Sequence, residues 1–80
     1  MGGLTMKYKT EFTIFADNDT AQSIRQCLSG YLTKNFSASW ATEIINKGGI
    51  LKLRITHGKK MLIRDRNYIQ AFVDGASIFG

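Results

Sequence analysis

Gly48-Gly49 is flanked by two segments in which apolar and polar residues alternate, and this arrangement restricts the possible fold more than any other feature of the sequence. Alternation with a period of two is typical of half-buried β-strands. A two-residue loop at the glycines pairs Ile44 with Leu53 and puts Trp40 on the same face as Leu53. Because glycine accepts the positive φ angles of tight hairpin turns, we predict a two-residue hairpin here.

A second turn is predicted at His57-Gly58-Lys59. A three-residue loop with Gly58 near the left-handed conformation pairs Ile55 with Met61, whereas a two-residue loop would mix apolar and polar residues on one face. We therefore expect a three-stranded meander within residues 37–66. In this reading His57 is a turn residue.

The remaining segments predict one strand and two helices. Residues 6–16 alternate as a strand does, while Asp19 with Gln22, and Asn67 with Gln70, have the spacing of helix capping boxes. The first helix would begin directly after Asp19. The apolar stripes expected to face the core are Ala21, Ile24, Leu28, Tyr31 and Leu32 in the first helix, and Ile69, Phe72, Val73, Ala76 and Phe79 in the second.

These elements define an α+β fold with the order β-α-β-β-β-α. We expect a two-layer sandwich in which both helices pack on one face of an antiparallel sheet. Whether the first strand pairs with the second or the fourth remains open at this level. Residues 1–5 are expected to be a disordered arm or a remnant of cloning, and residues 6–80 a single domain.

Composition excludes several classes of protein. A chain of 80 residues leaves little room for both a core and a deep catalytic cleft, so we expect no enzyme. One cysteine and one histidine cannot supply a zinc site, and we expect no cofactor and no metal. No apolar run approaches a membrane span, so we expect no membrane partner and a cytoplasmic location. Cys27 is expected to be a small buried side chain, and Tyr8 and Trp40 are expected on the core face.

Charge is the feature that points to function. The whole chain carries +5, but residues 47–66 alone carry +6. The predicted meander sets Lys52 opposite Arg64, with Arg54 and Lys60 on the same face, where the cations repel one another unless an anion binds. The candidate residues for binding nucleic acid or a partner are Lys47, Lys52, Arg54, Lys59, Lys60, Leu62, Arg64 and Arg66.

Two functions fit this surface. The first is a small binding protein that places its basic hairpin on nucleic acid or a nucleoprotein complex, with affinity from counterion release. The alternative is an inhibitor or adaptor that occupies an acidic surface of a larger host protein. In size and lack of motifs the chain is similar to small inhibitors encoded by phages and other mobile elements. We also allow for a homodimer formed through a sheet edge.

Overall fold

Three antiparallel strands and two helices make up the computed structural model, which describes residues 7–79 and the side chains of residues 7–76. The predicted arm at residues 1–5 lies outside the described residues, as does the side chain of Phe79. The elements are β1 (Tyr8–Ile14), α1 (Asn18–Asn35), β2 (Trp40–Lys47), β3 (Ile50–His57) and α2 (Ile63–Phe79).

The hairpin between β2 and β3 has the predicted two-residue loop. Gly48 and Gly49 have φ angles of 61° and 86°, in the region that favours glycine. The backbone N–H of Gly49 donates to the side-chain oxygen of Asn46 at 2.9 Å, which ties the turn to the end of β2. Ile44 is paired with Leu53, so the predicted register is confirmed.

The predicted third strand of the meander does not form. The sheet order is β1-β3-β2, and β1 pairs antiparallel with β3 along its whole length, from Tyr8 opposite His57 to Ile14 opposite Leu51. Both edges of β3 are therefore occupied by β1 and β2. The observed order is β-α-β-β-α, and neither partner considered for the first strand, the second or the fourth, is correct, because β1 pairs with β3.

The residues predicted to form the third strand of the meander instead lead into helix α2, which begins at Ile63. The backbone N–H of Arg66 donates to the Leu62 carbonyl at 3.0 Å, in the helical pattern. Asn67 lies inside the helix, so the prediction that it caps the helix is wrong. The three-residue hairpin is wrong as well.

Helix α1 starts two residues earlier than predicted. Asp17 is its N-cap, and its carboxylate accepts from the backbone N–H of Thr20 at 2.8 Å, which satisfies an amide that has no partner within the helix. This hydrogen bond holds the pKa of Asp17 below its ordinary value. The predicted capping role of Asp19 is wrong. Cys27, expected to be buried, is exposed on this helix.

Both predicted helix stripes contribute to one hydrophobic core, because apolar residues at spacings of three and four share a helix face. Tyr31, Phe72 and Ala76 of these stripes are partly buried against that core. Trp40 also packs against it, whereas Tyr8 stays 41% exposed although it stacks on the ring of His57. The buried core residues are Phe12, Ile14, Ala21, Ile24, Leu28, Leu32, Leu53, Ile55, Ile69 and Val73.

His57 is buried at the end of β3 and is not a turn residue. Its Nδ1 lies 2.7 Å from the Lys59 carbonyl oxygen and its Nε2 lies 2.8 Å from the Thr10 hydroxyl. Since a carbonyl oxygen only accepts, Nδ1 carries a proton and donates it. The ring therefore joins β1, β3 and the loop that follows β3, with both nitrogens satisfied.

Candidate functional site

Two cations of the sheet, Arg54 and Lys47, pair with glutamates across the strands. Arg54 on the central strand donates from Nε to Glu11 at 3.1 Å and from Nη1 to Glu43 at 3.3 Å. Lys47 lies 3.5 Å from Glu11. We call Glu11, Glu43, Lys47 and Arg54 the strand-face ion network, and its formal charges cancel.

This network changes the electrostatic expectation for the sheet face. Arg54 hydrogen-bonds to the Glu11 carboxylate and, with the nearby Lys47, holds the pKa of Glu11 below its ordinary value. The predicted face of mutually repelling cations is wrong, because Lys52 lies opposite Thr13 and not opposite Arg64. Lys52 Nζ lies 3.5 Å from the Thr13 hydroxyl oxygen.

A second group of predicted site residues surrounds a cleft of about 470 Å³. The cleft lies between the end of α1, the segment that follows it, and the β3–α2 connection with the first turns of α2. Its volume falls within the range of small-molecule sites. We call it the basic cleft, and its lining residues are Tyr31, Asn35, Phe36, Ser37, Lys59, Lys60, Leu62, Arg64, Asp65 and Tyr68.

The cations of the basic cleft differ from Lys47 and Arg54, the paired cations of the sheet face. None of the ion pairs formed within residues 7–79 involves Lys59, Lys60 or Arg64. The Lys59 ammonium donates to the Ser37 hydroxyl at 3.3 Å, a neutral partner. Asp65 is the one acidic residue that lines the cleft, so the formal charge of the cleft is +2. The N-terminus of α2 adds a positive dipole end at the same place.

Two stacked aromatic rings form one side of the basic cleft. The ring centroids of Tyr31 and Tyr68 lie 4.4 Å apart, with 14° between the ring planes. The Tyr31 hydroxyl donates to the Asp65 carboxylate at 3.2 Å. Burial and the neighbouring Asp65 charge raise the pKa of Tyr31. The hydrogen bond to Asp65 fixes the position of the Tyr31 ring.

The buried ring of His57 is hydrogen-bonded to the backbone of Lys59, a residue that lines the basic cleft. Its Nδ1–H donates to the backbone carbonyl of Lys59, and the backbone N–H of Gly58 donates to the Ser39 carbonyl at 3.0 Å. These two bonds hold the start of the β3–α2 connection. The backbone from which Lys59 and Lys60 project is thus anchored to the core.

The structure therefore divides the predicted site residues into two groups. Lys59, Lys60, Leu62 and Arg64 lie together at the basic cleft, and Leu62 is 56% exposed, as expected from the sequence. Arg66 is two residues beyond Arg64, about 200° around the helix, and does not line the cleft. The residues on the sheet are Lys47, Lys52 and Arg54.

Sequence reasoning missed the aromatic side of the cleft. Tyr31 was assigned to the core stripe, and Tyr68 was not singled out. Arg64 and Tyr68 are four residues apart, so they share a helix face because α2 begins at Ile63. A predicted helix that started before Arg64 would have placed the two side chains together.

No group of three or more metal-ligating side chains occurs in the part of the chain that the structure describes. Within the same residues, no helix is both long and apolar enough to cross a membrane. Comparisons with protein-family models, with curated proteins and with solved structures give no match for this chain. Function is therefore inferred from the residues themselves.

Proposed function

We propose that this protein is a small, non-enzymatic binding protein whose basic cleft binds nucleic acid or a nucleoprotein complex. The observation that carries the proposal is the convergence of Lys59, Lys60 and Arg64 on one cleft, without an ion pair among the described residues. Arginine binds a phosphate through two parallel N–H groups, and lysine acts as a point charge. The proposed function needs no cofactor.

The energetics of this interaction follow from counterion release. Three phosphate contacts give a slope of log K against log salt of about −2 for a single strand. Affinity then falls about 20-fold between about 50 and 200 mM salt. Because phosphates carry no sequence information, we expect low sequence specificity.

The sheet face contributes less in this proposal. Lys47 and Arg54 are already paired with Glu11 and Glu43, and the two carboxylates offset their charge and repel a phosphate. Lys52 lies near the neutral Thr13 hydroxyl and forms no ion pair among the described residues, so its charge is more available to a phosphate than the charges of Lys47 and Arg54. Arg66, exposed on α2 beyond the cleft, is a secondary contact at most.

Fluorescence polarisation with labelled DNA and RNA tests the proposal. Lys60→Glu combined with Arg64→Glu reverses two of the three cleft cations. Lys7→Glu combined with Lys9→Glu is the matched control, because it changes the chain's charge equally at two exposed residues in and before β1. We expect the cleft variant to lose binding at about 50 mM salt and the control to lose far less.

Two results would overturn the proposal. One is absence of binding by the parent protein at low salt. The other is equal loss in the cleft variant and in its charge-matched control, which would mean that net charge alone attracts the nucleic acid. Circular dichroism of each variant ensures that a loss of binding does not reflect unfolding.

A second candidate function is an inhibitor or adaptor that binds an acidic protein surface. The observation that favours it is the exposure of Leu62 and Ile63, at 56% and 77%, beside Lys60 in a shallow groove of about 320 Å³. Exposed apolar side chains next to cations suit a partner with an apolar contact and a carboxylate rim.

Co-purification from nuclease-treated host lysate separates the two functions. Leu62→Asp with Ile63→Asp should abolish capture of a protein partner, whereas Ile50→Asp, at another exposed residue, should not. Capture that the Leu62 and Ile63 changes leave intact would exclude this surface as the contact.

Three further inferences accompany the function. We infer that both helices pack on one sheet face, because their buried residues form a single cluster with Phe12, Leu53 and Ile55. The lone cysteine suits a reducing, cytoplasmic location.

β1 and β2 are the edge strands of the sheet, so a homodimer would form by pairing of one of these strands with its copy in a second chain. Light scattering during gel filtration tests for this dimer.

A further inference from the structure

We propose that the basic cleft selects single-stranded nucleic acid, because one unpaired base stacks on the exposed face of Tyr68. This inference rests on the proposed nucleic-acid function and makes it more specific. It adds a contact to the base itself, which duplex nucleic acid cannot provide without unpairing.

The ring arrangement supports a stacking platform. Tyr31 covers one face of the Tyr68 ring at a centroid distance of 4.4 Å, and the Tyr31 hydroxyl is held by Asp65. Tyr68 remains 51% exposed and lines the cleft. A base stacked on Tyr68 would be the third layer of a pre-formed stack, so little side-chain ordering is required on binding.

Cations lie beside this platform where the backbone of a bound strand would pass. Arg64 is one helical turn before Tyr68 on the same face of α2, and Lys59 and Lys60 border the same cleft. A base on Tyr68 brings its flanking phosphates towards these side chains. Alternation of stacking rings and phosphate-binding cations is typical of sequence-tolerant single-strand binding.

Charge alone predicts the opposite preference. Duplex DNA carries one phosphate charge for about every 1.7 Å of its axis, which is denser than a single strand. A purely electrostatic cleft would therefore bind the duplex at least as tightly. Preference for the single strand would be a signature of stacking on Tyr68.

The experiment compares single-stranded DNA and RNA of about 12 nucleotides with the corresponding DNA duplex. Three variants are measured: Tyr68→Leu, which removes the ring; Tyr68→Phe, which keeps it; and Phe15→Leu, which removes a 75% exposed ring outside the cleft. We expect Tyr68→Leu to weaken single-strand binding about 5- to 150-fold. Tyr68→Phe and Phe15→Leu should bind like the parent, and duplex binding should not change.

A base analogue gives a readout that a general structural effect would not mimic. We expect a 2-aminopurine in the strand to lose fluorescence on binding to the parent and to Tyr68→Phe, but not on residual binding to Tyr68→Leu. Equal affinity for single strand and duplex, or unchanged affinity in Tyr68→Leu, would overturn single-strand selection. If binding still depends on Lys60 and Arg64, the proposed function survives that failure.

Discussion

Alanine substitution of two glycines should change stability in opposite directions. Gly49 lies in the β2–β3 turn with φ of 86°, while Gly30 lies inside α1. A Cβ atom added at either position meets no atom within 4 Å. Because neither substitution creates a clash, backbone conformation alone decides the sign.

The magnitudes follow from that conformation. An L side chain at a left-handed position costs about 1–2 kcal/mol, so Gly49→Ala should destabilise by that amount. The amide of Gly49 keeps its bond to Asn46, and no packing is lost. In the helix, alanine is about 1 kcal/mol more favourable than glycine, so Gly30→Ala should stabilise. Gly48→Asn should cost less than Gly48→Ala, since asparagine tolerates the left-handed region.

Thermal and urea unfolding followed by circular dichroism measure these differences. For a domain of this size, each 1 kcal/mol shifts Tm by about 4–8 °C. We expect the Gly30→Ala variant to melt above the parent and the Gly49→Ala variant below it. The urea m-value should stay constant in both, because the exposed surface does not change.

A shared direction of the two Tm shifts would refute this reasoning. Stabilisation in both variants would mean that alanine acts mainly through the unfolded chain, whose entropy it reduces. Destabilisation in both would mean that Gly30 is needed for the geometry of α1. The first result, but not the second, would remove the positive φ of the turn as the reason for glycine at residue 49.

Three further predictions concern the core and the ion network. Thr10→Val should destabilise by about 1–3 kcal/mol in urea unfolding, because it leaves Nε2 of the buried His57 without a partner; an unchanged midpoint would refute that role. Arg54 lowers the pKa of Glu11 in the folded state, so their pairing stabilises the fold at pH values above the ordinary pKa of 4.5, and this stabilisation is lost as the pH falls through the lower folded-state pKa. Glu11→Gln should therefore make Tm fall less steeply on acidification than it does in the parent. An identical fall in the two proteins would contradict the pairing. Leu53→Ala, at a fully buried side chain, should cost about 2–5 kcal/mol, and a loss below 1 kcal/mol would show that its site is not in a packed core.

Local patterns in the sequence predicted much of the fold. The Gly48-Gly49 hairpin is set by the turn and by alternation on either side of it, so Ile44 and Leu53 pair as expected. The stripe of α1 was predicted because residues on one helix face repeat at spacings of three and four. Both features depend on neighbours within a few residues, where propensity and periodicity act directly.

The third strand of the predicted meander, after His57, does not form, because a short apolar run fits either a strand or a helix. Met61, Leu62 and Ile63 satisfied a hairpin register with β3. What decided the outcome was competition for the free edge of β3, and β1 takes that edge over seven residue pairs. Pairing between segments this distant cannot be read from local periodicity. With the edge occupied, residues from Ile63 onwards are free to form α2.

The sequence by itself determined that the excess positive charge lies within residues 47–66, and it determined the β2–β3 hairpin that carries Lys47, Lys52 and Arg54. Only the tertiary structure decided which cations act together. Strand pairing brings Glu11 and Glu43 against Arg54 and Lys47 and cancels the charges of that network, whereas the start of α2 brings Arg64 and Tyr68 to the basic cleft. Net charge depends on composition alone, but unpaired charge depends on which residues are neighbours in space, and distant strand pairing and helix starts set those neighbours.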